Sequence, residues 1–258
     1  MKFLFALLIF YTPIFAQNNY PKDYFQSPLN IPMQLAGNFG ELRPNHFHAG
    51  FDFKTQQKEG LPVFAVGDGY ISRIKISTYG YGKAVYITHP NGYTTVYGHL
   101  QKGYGKIEDS IKKEHYKQQA FEIEVFPNPE DLPVKKGDTI ALSGNTGGSE
   151  GPHLHFEFRD TKTEKIINPL FFGFDTFMTD TKKPSISSLL VYPIGDESIA
   201  NESKRPILVN VALQPDGNYI AEKVAATGNI GFGIIAGDFD NVSYNYNGIY
   251  KVQTFSNG

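Results

Sequence analysis

The chain has 258 residues, with 24 Lys and Arg against 26 Asp and Glu and a formal net charge of −2. Without a basic surplus it carries no electrostatic footprint for nucleic acid. It contains no cysteine, which excludes disulfides, thiol catalysis and every Cys-ligated metal site, so a bound metal would have to sit on His, Asp or Glu.

The first predicted element is MKFLFALLIFYTPIFAQ. Its apolar run, residues 3–11, is far shorter than the ~20 residues of a membrane span. It reads as a signal peptide over residues 1–16, ending at Ala16, so the mature protein is expected to be exported and to lack a membrane span. Residues 17–38 are rich in Tyr, Pro and Asn and include SPLNIP, an extended stretch. They are expected to form an N-terminal arm lying on the domain that follows.

Residues 39–173 read as one β-rich domain. LPVFAV, GYISRIKIS, KAVYITH, YTTVYGHL, DTIALSG and HLHFEFRD are β-branched or aromatic runs bounded by turn residues. Asn91-Gly92 in HPNGYT predicts a hairpin. An insertion at about 102–133 interrupts the pattern. In it, KIEDSIKKEHYKQQA (106–120) has Ile107 and Ile111 four apart and acids near its start, which predicts a short amphipathic helix before a strand FEIEVF. Residues 174–258 alternate as sandwich strands do, in KPSISSLLVYP, RPILVNVALQ, YIAEKVAATG, IGFGIIAGDF and GIYKVQTF. The closing Asn257-Gly258 is a hairpin-turn dipeptide with no return strand after it, so this region is expected to be incomplete. The fold class is therefore mainly β: a compact antiparallel-sheet core with a small inserted helix, followed by a β-sandwich-like domain.

Three clusters carry chemistry. In HLHFEF, a strand would put His153, His155 and Glu157 on one face and Leu154, Phe156 and Phe158 on the other. The two histidines would lie roughly 6.6 Å apart along it, so one can bind a metal while the other reaches a substrate beside that metal. In NHFHAGFDF, His48 and Asp52 would lie ~13 Å apart on an ideal strand, too far to share one ion. That segment must bend, and Gly50 permits it. His46 suits the surface as well as it suits support of a ligand. His99 ends the strand TTVYGHL, where a lone histidine is ordinarily structural. His89 and His115 read as structural or exposed. Glu157 has two open readings, a surface salt bridge or a partner that holds a histidine ring.

The segments FGELRPNHFHAGFDFKTQQKEGLPVFAVGDGYISR, YGYGKAVYITHPNGYTTVYGHL, VKKGDTIALSGNTGGSEGPHLHFEFRD and NPLFFG together resemble the lysostaphin-type (LytM-domain) zinc endopeptidases of bacterial cell walls. The resemblance runs from Phe39 to Phe172, about half the chain. It implies that His48, Asp52 and His155 bind one zinc ion and that His99 and His153 are the unliganded catalytic histidines. It further implies a peptidoglycan endopeptidase of the periplasm or cell envelope, acting on stem peptides or cross-links through a zinc-activated water. The insertion departs from the simplest members and bears on access to the cleft. A helix laid over the groove would instead suit a non-catalytic or self-inhibited envelope module, one that binds peptidoglycan or activates another hydrolase and awaits a regulatory partner.

Overall fold

The structure, a computed structural model, describes residues 20–239, 241 and 246–255; the expected signal peptide and the Asn257-Gly258 turn lie outside them. In chain order the first region contains β1 (Leu35–Gly37), β2 (Phe51–Lys54), β3 (Pro62–Phe64), β4 (Gly69–Ile76), β5 (Lys83–Thr88), β6 (Tyr93–Gly98), β7 (Lys102–Gly103), α1 (Lys106–Gln118), β8 (Ile123–Val125), β9 (Pro133–Val134), β10 (Thr139–Leu142), β11 (His153–Asp160) and β12 (Ile166–Ile167). Nine of these strands form one sheet in the order β1-β2-β11-β6-β5-β4-β8, with β12 paired to β11 and β9 to β4. A smaller sheet, β3-β10-β7, forms separately. Every pairing between named strands is antiparallel.

Alternation along β11 fills the core from one side. Leu154, Phe156 and Phe158 are fully buried and join Phe51 and Phe53 of β2, Ile74 and Ile76 of β4, Val63 of β3 and Ile140 of β10 in one cluster. Phe156 stacks on Phe174 and Phe158 on Phe172, from the short 3₁₀ turns that follow β12. Residues 20–34 close this core: Phe25, Leu29 and Met33 are buried in it, and Tyr20 stacks on Phe171.

The β5–β6 hairpin turns through residues 89–92, where Gly92 takes φ +86° and its N–H donates to the His89 carbonyl. His89 itself is 2% exposed. Its Nδ1–H donates to the Asp68 carbonyl at 2.8 Å and its Nε2 faces the Thr95 hydroxyl at 2.9 Å.

Helix α1 forms where the periodicity predicts it. Glu108 reaches back to accept from the Gly103 N–H at 3.0 Å, and Gln119 ends the helix in the left-handed conformation. Ile107 and Ile111 enter the main core, the side of the sheet opposite the β11 histidines. The alternative in which the helix is laid over the groove gains no support from this, because its apolar stripe is taken up by the core. The rest of the insertion extends the main sheet, since β8 and β9 both pair with β4.

The C-terminal region contains β13 (Ser185–Ala200), β14 (Ile207–Val209), β15 (Val211–Leu213), β16 (Tyr219–Ala221) and β17 (Ala226–Gly237). They form a three-stranded sheet, β14-β13-β17, and a two-stranded one, β15-β16, around a small core of Val191, Ala200 and Val209. Residues 248–255, expected as a strand, carry no strand; the nearby Asn247 makes an isolated bridge to Asp238. Among the described residues no helix is long and apolar enough to cross a membrane.

Two outcomes follow from this packing. Burial lowers the His89 pKa to about 4, against the hydrogen bond from its ring to the Asp68 carbonyl. The unfolded chain therefore binds a proton near pH 6.5 that the folded chain refuses until about pH 4, so stability falls as pH drops through that window, by up to about 3 kcal/mol. Denaturant unfolding at pH 7 and pH 4.5 should show this loss, and His89→Gln should flatten its contribution. A Cβ on Gly50 would stand 2.1 Å from the Phe156 carbonyl oxygen of β11. Gly50→Ala should force β2 away from β11 and cost about 1–3 kcal/mol in the same measurement.

Candidate metal centre

The chain bends at Gly50, between His48 and Asp52 as predicted, just after a hairpin. Leu42 bridges Phe47, and the His48 N–H and C=O pair with Glu41 and Gly40 before the chain enters β2. Gly50 serves both the bend and a close approach, because β11 passes directly against its α-carbon. In β2, Asp52 lies directly opposite His155 of β11. The result brings His48, Asp52 and His155 together, with one ligand atom from each within 4.8 Å of the others.

The individual contacts are tighter. His48 Nε2 is 3.1 Å from Asp52 Oδ1 and 3.1 Å from His155 Nδ1, and His155 Nδ1 is 2.9 Å from Asp52 Oδ1. Four tetrahedral ligands with bonds of about 2.0–2.1 Å stand about 3.3 Å apart, so these atoms need to open by only a few tenths of an ångström to accept zinc. The other ring nitrogens are engaged in the way that frees these. His48 Nδ1–H donates to the Asn38 carbonyl at 2.7 Å, which turns Nε2 inward. His155 Nε2–H donates to Glu157 Oε1 at 2.8 Å, which turns Nδ1 inward. Carboxylate or carbonyl support of this kind is the usual way a metal-binding histidine is oriented.

Charge points the same way. Burial would raise the Asp52 carboxyl, yet hydrogen bonds from His153, His155 and His48 hold it far below the carboxylate range. Burial would lower His155, but Asp52 and Glu157 raise it to about 9. The group draws positive charge into a buried place, as a cation site does. A His₂Asp donor set fits zinc and leaves one tetrahedral position for water.

The structure sets His99 and His153 beside this group. His99 takes φ +55° at the end of β6, and its Nδ1–H donates to the Thr146 carbonyl at 2.7 Å. Its ring lies 4.6 Å from that of His153 and 5.8 Å from that of His155. Burial, with His153 adding to it, lowers its pKa to about 4, so its Nε2 is a free acceptor at neutral pH. His153 Nδ1–H donates to the Gly151 carbonyl at 2.8 Å, and its Nε2 is 3.4 Å from Asp52 Oδ1. All five residues singled out in the sequence therefore converge. His46 is exposed and bonded to Asn45, His89 lies in the core hairpin, and His115 stacks on Phe121 beside the helix.

Glu157 is 0% exposed, which excludes the surface salt bridge. Burial would raise its carboxyl, but His155 and Arg159 bring it down to about 2. Arg159 Nε donates to Oε2 at 2.7 Å. Sequence reasoning missed two neighbours. Arg159 was within reach, because it continues the face of His155 and Glu157 at the same two-residue step. Tyr81 was not, because it comes from a loop; its hydroxyl donates to Glu157 Oε1 and its ring stacks on His155 at 4.9 Å and 22°.

Part of the chain is similar to known proteins. The model of Peptidase family M23 matches residues 46–116 and 124–169. An uncharacterized metalloprotease of Haemophilus influenzae is 37% identical over 131 residues, which cover 51% of this chain and 21% of that protein. The peptidoglycan DD-endopeptidase ShyC of Vibrio cholerae is 31% identical over 143 residues, 53% of this chain and 27% of that protein. Among solved structures, a zinc-containing peptidase from Vibrio cholerae is 27% identical with a TM-score of 0.42, covering 57% of this chain and 39% of that one. The chain thus spans only a fifth to about a quarter of the length of the two curated relatives. The segment that holds its histidine clusters, residues 46–116 and 124–169, is the part that matches Peptidase family M23.

Proposed function

We propose that this chain is an exported zinc-dependent endopeptidase that hydrolyses peptide bonds in the stem peptides or cross-links of peptidoglycan. The observation that carries the reading is the convergence of His48, Asp52 and His155 on one point, with His99 and His153 beside it. A relative named as a peptidoglycan DD-endopeptidase supports the substrate, and the apolar leader in residues 1–16 supports export to the periplasm or envelope. On this reading residues 39–173 are the peptidase domain, with the arm at 17–38 and the β region at 174–258 flanking it.

His48, Asp52 and His155 would hold one zinc ion. Zinc bound there supplies a Lewis acid that polarises a scissile carbonyl and acidifies water. His99 presents a neutral Nε2, fixed by the Thr146 carbonyl behind it, and so accepts a proton from the attacking water. His153, tethered by Gly151, presents its Nε2 on the same side, so the two rings together handle the proton and steady developing negative charge. Both histidines need no reorganisation, because each ring is already anchored through Nδ1.

Dye-labelled peptidoglycan, with zinc content determined on the same sample, tests this. The parent protein should bind about one zinc per chain and release dye, and a chelator should stop the release until zinc is restored. His155→Ala should lose both zinc and activity. His99→Ala should keep its zinc while kcat drops by about 10²–10⁴-fold. Full activity in His99→Ala would remove His99 from the mechanism.

A further inference from the structure

Tyr81 lies outside every strand, yet it touches both halves of the site. It belongs to the turn between β4 and β5, in which the Ser77 N–H donates to Gly82 and the Gly82 N–H to Tyr79. That turn is clamped against the segment before β11: the Gly148 N–H donates to the Gly80 carbonyl at 2.8 Å, and the Lys83 N–H to the Thr146 hydroxyl at 3.0 Å. Gly82 must be glycine here, since its φ is +61° and a Cβ would meet the Thr146 backbone at 2.4 Å. From this fixed turn the Tyr81 carbonyl accepts the His99 N–H at 2.8 Å.

The side chain runs the other way. Its ring lies over the sheet, in the notch left by Gly98, whose hypothetical Cβ would be 3.4 Å from Tyr81 Cβ and 3.3 Å from His155 Cβ. There it packs on Ala84, Tyr86 and Val96 and stacks on the His155 imidazole. Its hydroxyl donates to Glu157 Oε1, the same oxygen that accepts His155 Nε2–H. Arg159 closes the set, with Nε on Oε2 and Nη2 3.4 Å from the Tyr81 hydroxyl. A carboxylate with no solvent exposure needs donors on both oxygens, and Tyr81 supplies one of three.

We propose that Tyr81 is a positioning residue that acts through Glu157 and by ring stacking to hold His155 with Nδ1 turned towards Asp52 and His48. The proposal rests on the zinc-peptidase reading above. It assigns Tyr81 no contact with substrate. Its hydroxyl divides Oε1 between two donors and so fixes where that oxygen sits; its ring fixes the plane of the imidazole. Loss of such outer support characteristically weakens metal affinity by about 10–100-fold.

The test compares the parent, Tyr81→Phe, Glu157→Gln and the double variant, using zinc and cobalt(II) as probes. Zinc affinity is read by competition with a chromophoric chelator, ligand geometry by the visible absorption of the cobalt-loaded protein, and fold by thermal unfolding without metal. Tyr81→Phe keeps the ring, so its metal-free unfolding should stay cooperative and begin only modestly below the parent's. It should bind zinc about tenfold more weakly, with a shifted cobalt spectrum, and it should regain most of the parent's kcat at saturating zinc with KM unchanged. In the Glu157→Gln background the same change should add little further loss, because both act along one path. Parent-like zinc affinity and cobalt spectrum in Tyr81→Phe would overturn the proposal. So would a lowered kcat with unchanged zinc affinity, which would put Tyr81 on the substrate, or fully additive losses in the double variant. A parent protein that binds no zinc would instead overturn the zinc reading itself and the proposal with it. The two failures are distinguished by which protein fails.

Discussion

One strand pairing carries the rest of the structure: β2 against β11, in the register that sets Asp52 opposite His155. A slip of one residue would turn every side chain of β11 to the other face, placing Phe156 at the metal group and His155 in the core. The register is held from below. Phe51, Phe53, Leu154, Phe156 and Phe158 are all buried on the opposite face, each worth about 1.5–3 kcal/mol relative to exposure. The apolar face of the sheet thus determines the geometry of the polar one.

The polar face is sustained by pairing rather than by water. Asp52 and Glu157 flank the His155 ring, one at each nitrogen, and each carboxylate has a guanidinium on its outer side, Arg43 3.4 Å from Asp52 and Arg159 2.7 Å from Glu157. Buried carboxylates are tolerated only with such partners, and removing one partner costs more than the pair contributes. The same arrangement explains the tautomers. Each of the four histidines has one nitrogen committed to a carbonyl or carboxylate, and the other turns towards the centre.

How much of this was legible in the sequence depended on how local its cause was. The two faces of HLHFEF and the stripe Ile107–Ile111 are periodic features, and both appear as read. The bend at Gly50 was readable as a need, because His48 and Asp52 could not otherwise meet. The reason only glycine fits there, the Phe156 carbonyl 106 residues further along the chain, was not. Tyr81 was beyond reach for the same reason, since its position depends on one turn docking on another at Thr146. In the C-terminal region most strands were legible, residues 248–255 excepted, but not their assembly. Leu190, Tyr192 and Ile194 occupy one face of β13 and Leu189, Val191 and Pro193 the other, so alternation gives no sign of which face is inward.

The insertion shows how local reading can place an element correctly and leave its role open. An amphipathic helix near a cleft invites the picture of a lid, yet a helix can bury its apolar stripe only once. Here Ile107 and Ile111 are spent on the core, under the sheet. What the insertion adds to the site side is β8. The register runs Glu157, Val96, Tyr86, Arg73 across β11, β6, β5 and β4, and Arg73 then donates its Nε to Glu124 of β8 at 2.7 Å. One extra strand widens the sheet by about 4.8 Å. The floor that begins at the metal group is therefore longer and ends in charged side chains, so the inserted residues enlarge the surface beside the site.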